Sequence, residues 1–135
     1  MTFLVERLAD LRLHLAHLRQ IAPRVHDSDA LRADLSLHND VLFSLLVVCQ
    51  AVIDVAGELA GRRGIRFQDY TEAVRALRSI EGIPPELAGD LEGLPGFRNV
   101  LVHEYVALDY GLVLEALAKL DAVERFARVA ARLES

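Results

Sequence analysis

Cysteine is nearly missing from this sequence: Cys49 is the only one in 135 residues. One thiol cannot form an internal disulfide, and a zinc site built on several thiolates is excluded within one chain, a pattern that fits a reducing compartment. Tryptophan is absent, and four prolines and eight glycines are too few for a collagenous or low-complexity chain. An excess of positive charge is missing as well. The 15 Lys+Arg against 20 Asp+Glu leave a net charge of −5, which argues against a general nucleic-acid coat protein, because such binding is driven by phosphate neutralisation. Any RNA contact must be local. No continuous hydrophobic leader opens the chain, since MTFLVERLAD sets charged residues inside the first apolar stretch, so a cytoplasmic location is expected. The most apolar run, Val41 to Ala60, is about long enough to span a bilayer, but Gln50, Asp54 and Glu58 interrupt it at four-residue spacing. Carboxylates at membrane depth are costly. A buried helix, with no membrane partner, is the expectation.

What is present is apolar and helical in rhythm. Hydrophobic residues make up 53% of the chain and the mean hydropathy is +0.25, so the chain should fold, and its length is that of one domain, 1–135, able to bury roughly 68% of its unfolded surface. Leu4, Leu8, Leu11, Leu15, Leu18 and Ala22 recur at alternating spacings of four and three, which predicts an amphipathic helix that Pro23 ends. A second, long helix is predicted from Asp27 or Ser28 to the glycines at 61 and 64, carrying Leu31, Leu35, Leu42, Leu45, Cys49, Val52, Ala56 and Leu59. GRRGIRFQ, residues 61–68, reads as a loop. Asp69 with Glu72 resembles a capping box for a helix from Tyr70 to about Ile80, Pro85–Leu91 forms another turn of helix, Phe97–His103 the next, and Asp109 caps a last helix to about Leu133. No alternating segment is flanked by hairpin turns, so the fold class is all-α with short connections.

Histidine is the side chain best matched to proton transfer near neutral pH, which makes His14, His17, His26, His38 and His103 the candidates. His14 and His17 share a helix at three-residue spacing, but no third ligand completes a metal site, and His26 and His38 have no partner in sequence. Cys49, inside VLFSLLVVCQ, reads as a small buried hydrophobe. His103 differs, because Arg98, Asn99, His103 and Tyr105 fall together in RNVLVHEY directly after a Gly-Leu-Pro-Gly-Phe break. Arginine supplies a permanent charge and a fork that fits phosphate, and histidine moves a proton to or from an oxygen, so the pair suits phosphodiester cleavage without a metal. In an ideal helix Arg98 and His103 are about 140° apart around the axis and His103 and Tyr105 about 200°. Either the helix ends near His103 or the long Arg98 side chain wraps round to it.

FRNVLVHEY resembles the R-x4-H-x-Y signature of the HepT toxins, members of the HEPN ribonuclease superfamily, with Arg98, His103 and Tyr105 on the signature and Asn99 in the polar slot after the Arg. Upstream, QAVIDVAGELAGRRG resembles that family's central helix, and the resemblance covers about Leu31 to Phe126. Where many relatives carry a His after the Ile-Asp-Ile-Ala stretch of that helix, the chain has Gly57-Glu58. The resemblance implies an antiparallel HEPN bundle of about five helices and a homodimer whose paired motifs form one cleft. It implies a metal-independent endoribonuclease toxin with no cofactor, silenced by a nucleotidyltransferase-fold (MNT) antitoxin that adenylylates Tyr105. Gln50 and Asp54, one turn apart on the central helix, can orient Arg98; a capped or paired buried carboxylate is the equal alternative. Residues 60–80 carry Arg62, Arg63, Arg66, Arg75 and Arg78 against Asp69 and Glu72, a local +3. Arg62, Arg63 and Arg66 are the candidate RNA rim, or else an ordinary solvated loop, and Phe67, Tyr70 and Tyr110 are stacking aromatics or core. A catalytically inactive HEPN dimer that binds a nucleotide or a nucleotidyltransferase is the alternative function.

Overall fold

The computed structural model describes residues 2–104 and 107–134. Their regular elements are helices throughout: α1 (Thr2–Ile21), α2 (Ser28–Ala33), α3 (Leu35–Arg62), α4 (Tyr70–Arg75), α5 (Pro85–Leu91), α6 (Leu94–His103), α7 (Tyr110–Leu117) and α8 (Leu120–Glu134). Sequence periodicity merged two pairs of these into single helices, so the count exceeds the expected five or so. The break at Asp34 is the instructive one. Its backbone is extended (φ −135°, ψ 101°) and its carboxylate accepts from the Leu37 amide, so it caps a new helix instead of continuing the old one. Leu35, expected in the core, stands at the first position of that new helix and is 72% exposed. A turn at Ala118 and Lys119, with Ala118 still in helical dihedrals (φ −72°, ψ −11°), divides α7 from α8.

Aspartates start the helices on either side as the sequence suggests. Asp27, Asp69 and Asp109 accept from the amides of Ala30, Glu72 and Gly111, each cap being worth about 1 kcal/mol. Five of the six leucines of α1 (Leu4, Leu8, Leu11, Leu15 and Leu18) are buried along one stripe, with Leu13 exposed on the other side, and burying a leucine contributes roughly 1.5–3 kcal/mol. That stripe docks on α3. His17 meets Asp40 at 2.7 Å and His14 sets its ring edge-on to Phe43 at 5.9 Å, so each step back along α1 matches a step forward along α3 and the two run antiparallel. Arg19 near the end of α1 pairs with Asp121 and Glu124 at the start of α8, and Arg62 at the end of α3 reaches Glu134 at the end of α8. The last helix therefore runs antiparallel to α1 and parallel to α3. The apolar run of α3 fills the middle of one hydrophobic core that extends from Leu4 to Ala130.

The end of α3 decides where the chain goes next. Gly64, in the left-handed region at φ 70°, donates to Gly61 O, and Ile65 donates to Ala60 O. These are the two hydrogen bonds of a Schellman ending, whose reversing residue favours glycine. The chain then folds back along α3, and Phe67 lies over Gly57 so closely that a Cβ there would sit 3.2 Å from the ring. The Gly57-Glu58 departure thus has a local meaning: glycine leaves room for the returning loop, and Glu58 pairs with Arg62 at 3.0 Å. The loop delivers Asp69 and Tyr70 to the flank of α6.

Candidate active site

Pro95 near the start of α6 suits a first helical turn, and Leu94, Phe97 and Leu101 bury one face of the helix. Arg98 is left half-buried toward α3, while Asn99, Val102 and His103 are exposed. Between the two geometries that the sequence leaves open, the structure ends α6 at His103, with the Glu104 amide donating to Val100 O. Arg98 and Val102 occupy one side of α6 and Asn99 and His103 the adjacent side, each pair four residues apart. Tyr105 lies outside the described residues.

Arg98 is held by neutral groups. Its Nε donates to Gln50 Oε1 at 2.9 Å, and Nη1 donates to Asn99 Oδ1 at 3.1 Å. Its guanidinium also lies over the Tyr70 ring, 5.4 Å from the centroid, a cation–π contact. Gln50 Nε2 in turn donates to Asp54 Oδ1 at 2.9 Å. The amide has no freedom here: an ionised carboxylate only accepts and a guanidinium only donates, so Gln50 must turn its NH2 to Asp54 and its oxygen to Arg98. Gln50 and Asp54 are therefore both hydrogen-bonded to each other and linked to Arg98, which joins two readings that the sequence keeps apart. Among the described residues no carboxylate pairs directly with Arg98.

A recess of about 310 Å³ opens beside Arg98, lined also by Leu46, Val47, Gln50, Asp54 and Val102 and by Arg7 and Asp10 from α1. Arg7 pairs with Asp10 at 2.9 Å and stands over the Phe3 ring at 5.7 Å. It escapes sequence reading because an arginine on the polar side of an amphipathic helix carries no mark of the neighbour it will meet. Val102, at the edge of this recess, is 45% exposed, and Phe43, one helical turn before Val47 on α3, is 61% exposed.

The arginine rim shrinks in the structure. Arg62 donates to both Glu58 and Glu134, and Arg75 and Arg78 both donate to Glu92. The hydrogen bond from Arg75 holds the Glu92 carboxyl below its ordinary range. The local +3 is therefore largely neutralised by acids outside the 60–80 window. Arg63 donates to Leu59 O and Arg66 is exposed. Burial pushes the Cys49 thiol up to about 12, in keeping with an inert core residue. His38, without a partner in sequence, lies against Asn39 and Tyr110. Among the described residues no three metal-ligating side chains gather, and although α3 is long and apolar enough to cross a membrane, 61% of its most apolar window is buried inside the protein.

The family model for HepT-like ribonucleases matches residues 11–130. A protein of Archaeoglobus fulgidus named as a candidate RNase is 32% identical over 83 residues, 62% of this chain and 63% of that protein's length. The mRNA nuclease HepT of Shewanella oneidensis is 23% identical over 125 residues, 91% of this chain and 92% of that one. Among solved structures, the tri-AMPylated Shewanella oneidensis HEPN toxin in complex with its MNT antitoxin superposes with a TM-score of 0.80 at 22% identity, covering 98% of each chain. A variant MntA–HepT toxin–antitoxin structure gives 0.80 at 21% identity, over 96% of this chain and 98% of that one. At these identities the structural likeness fixes the fold.

Proposed function

We propose, from the premise that this chain belongs to the HepT-like ribonuclease family, that it is a metal-independent endoribonuclease toxin that acts as a cytoplasmic homodimer and pairs with an MNT antitoxin. The observation that carries this reading is Arg98, oriented by Gln50 and Asn99 without a carboxylate on it, on the side of α6 adjacent to the one that carries His103, five residues further on. A guanidinium so held keeps its charge for a phosphate.

The reaction is transesterification by the RNA's own 2′-hydroxyl. The 2′-oxygen forms a bond to phosphorus, the bond from phosphorus to the 5′-oxygen breaks, and a cyclic phosphate remains on one product. One group must take the 2′ proton and another must give a proton to the leaving oxygen. His103 supplies one of these roles and His103 of the partner subunit the other, while Arg98 from each protomer stabilises charge on the phosphoryl oxygens. The exposed apolar side chains of Val102, beside Arg98, and Phe43, on α3, support a dimer that brings the two motifs together. Arg63 and Arg66 form the outer RNA rim. Control acts at Tyr105: adenylylation of its hydroxyl adds a phosphate that pairs with Arg98 and an adenosine that fills substrate volume.

His103→Ala and Arg98→Ala should each abolish cleavage of RNA with helical content unchanged, and a chelator should have no effect. Full activity of either variant, or loss of activity with chelator, would sink the assignment. Light scattering should give twice 15.0 kDa, and a monomeric mass at micromolar concentration would remove the two-histidine site. Tyr105→Phe should remain a ribonuclease that the antitoxin and ATP neither label nor silence.

A further inference from the structure

On the side of α6 that carries Asn99 and His103 lies a second, shallow recess of about 400 Å³, lined by Gln68, Asp69, Tyr70, Thr71 and Asn99. Its composition differs from that of the mixed recess on the other side of Arg98, where Leu46, Val47 and Val102 stand among the charged groups: here every lining residue bears a polar group. Tyr70 is 42% exposed, although a tyrosine at a helix start could have been buried. Its ring carries the Arg98 guanidinium, which ties this recess to the group that would hold the phosphate. His103 stands one helical turn beyond Asn99 on the same side of α6, so side chains at these positions are neighbours.

We propose that this recess is a nucleobase subsite, in which the base next to the scissile phosphate stacks on Tyr70 and is selected at its edge by Asp69 and Gln68, guanine being preferred. The inference rests on the ribonuclease reading for its place in the reaction and on this recess for its chemistry. Stacking needs an accessible aromatic face beside a phosphate-binding cation, and Tyr70 beside Arg98 provides both. Asp69 sets the preference. Its Oδ1 accepts from the Glu72 amide, yet a carboxylate has about four acceptor positions on its two oxygens and no donor. Guanine presents two adjacent donors, N1–H and the N2 amine, that fit one carboxylate. Adenine and cytosine each present only an amine, and uracil flanks its single N–H with two carbonyls that a carboxylate repels. Gln68, which can both donate and accept, suits the neighbouring O6.

Asp69 also caps α4, but asparagine caps a helix about equally well, so Asp69→Asn separates recognition from folding. The probes are fluorescent hexanucleotides with 2′-fluoro groups, which lack the attacking hydroxyl: one all-uracil, the other with a single central guanine. Wild-type protein should bind the guanine hexamer about tenfold more tightly, a difference of the size expected for one stacked, hydrogen-bonded base. Asp69→Asn should reduce that ratio to about twofold or less. Tyr70→Ala should weaken the guanine hexamer about tenfold and Tyr70→Phe should restore it. Equal affinity of wild type for the two hexamers, or a guanine preference unchanged in both Asp69→Asn and Tyr70→Ala, would overturn the subsite. Cleavage of the unmodified guanine hexamer is measured beside it with wild type and His103→Ala. Guanine preference without cleavage would overturn the ribonuclease reading and leave the subsite standing; cleavage without guanine preference would do the reverse.

Discussion

Two groups of arginines in this protein are held in opposite ways. Arg62 at the end of α3, Arg75 at the end of α4 and Arg78 just past it donate to Glu58, Glu134 and Glu92. Arg98 donates to the side-chain oxygens of Gln50 and Asn99 and rests on an aromatic face. A guanidinium paired with a carboxylate has its field cancelled close by, whereas one oriented by neutral amides keeps that field for an incoming anion. The nearest negative charge to act on Arg98 through a named contact, Asp54, is one hydrogen bond removed, with the Gln50 amide between. So a count of arginines in a stretch of sequence is a poor guide to where a phosphate binds. The partners decide.

The sharpest way to break this contrast is to remove the Arg98 charge. Arg98→Ala should lower the rate of RNA cleavage by about 10²–10³, and Arg98→Lys should recover little, since an ammonium cannot present the fork that bonds Gln50 and Asn99 together. Substantial rescue by lysine would mean that charge alone suffices and that the clamp is incidental.

A gentler change makes Arg98 resemble Arg62. Gln50→Glu replaces the neutral acceptor with a carboxylate, pairs it with Arg98 and places it beside Asp54. Cleavage should fall about tenfold, with the loss chiefly in substrate affinity. Gln50→Glu with wild-type kinetics would show that the neutrality of the clamp has no consequence.

The converse operation frees the neutralised group. Glu92→Gln removes the shared partner of Arg75 and Arg78, and RNA affinity at low salt should rise a few-fold, with a steeper salt dependence, because more phosphates can be neutralised. An unchanged salt slope would place these arginines off the RNA path.

The smallest effect concerns acid stability. Glu92 has its carboxyl lowered from the ordinary 4.5, first by the Arg75 hydrogen bond. The folded value lies below the unfolded one, so its contribution is complete above the unfolded value and is lost as pH falls through the folded value. Urea midpoints at pH 6 and pH 3 should therefore fall slightly less in Glu92→Gln than in wild type. A larger fall in the variant would reverse the sign.

Sequence by itself determined a good deal here. The leucine stripe of α1, the aspartate caps at 27, 69 and 109, the glycine and proline breaks, and the Arg98–His103 spacing were legible because each is a local rule that one segment obeys alone. The long apolar run could be read as a buried helix because its polar residues recur one turn apart. Asp34 left a trace, as a good capping residue inside an apparently continuous helix, but periodicity on both sides masked it. Tertiary structure alone decided the rest. Glu134 and Glu92 reach Arg62, Arg75 and Arg78 from distant positions, and Gln50 meets Arg98 across 48 residues of chain. Tyr70 arrives beside Arg98 because Gly64 reverses the chain and Gly57 leaves space for Phe67. Pairings of this kind depend on which helix faces which and at what height, and such distances arise from packing the whole core rather than from any pattern within one helix.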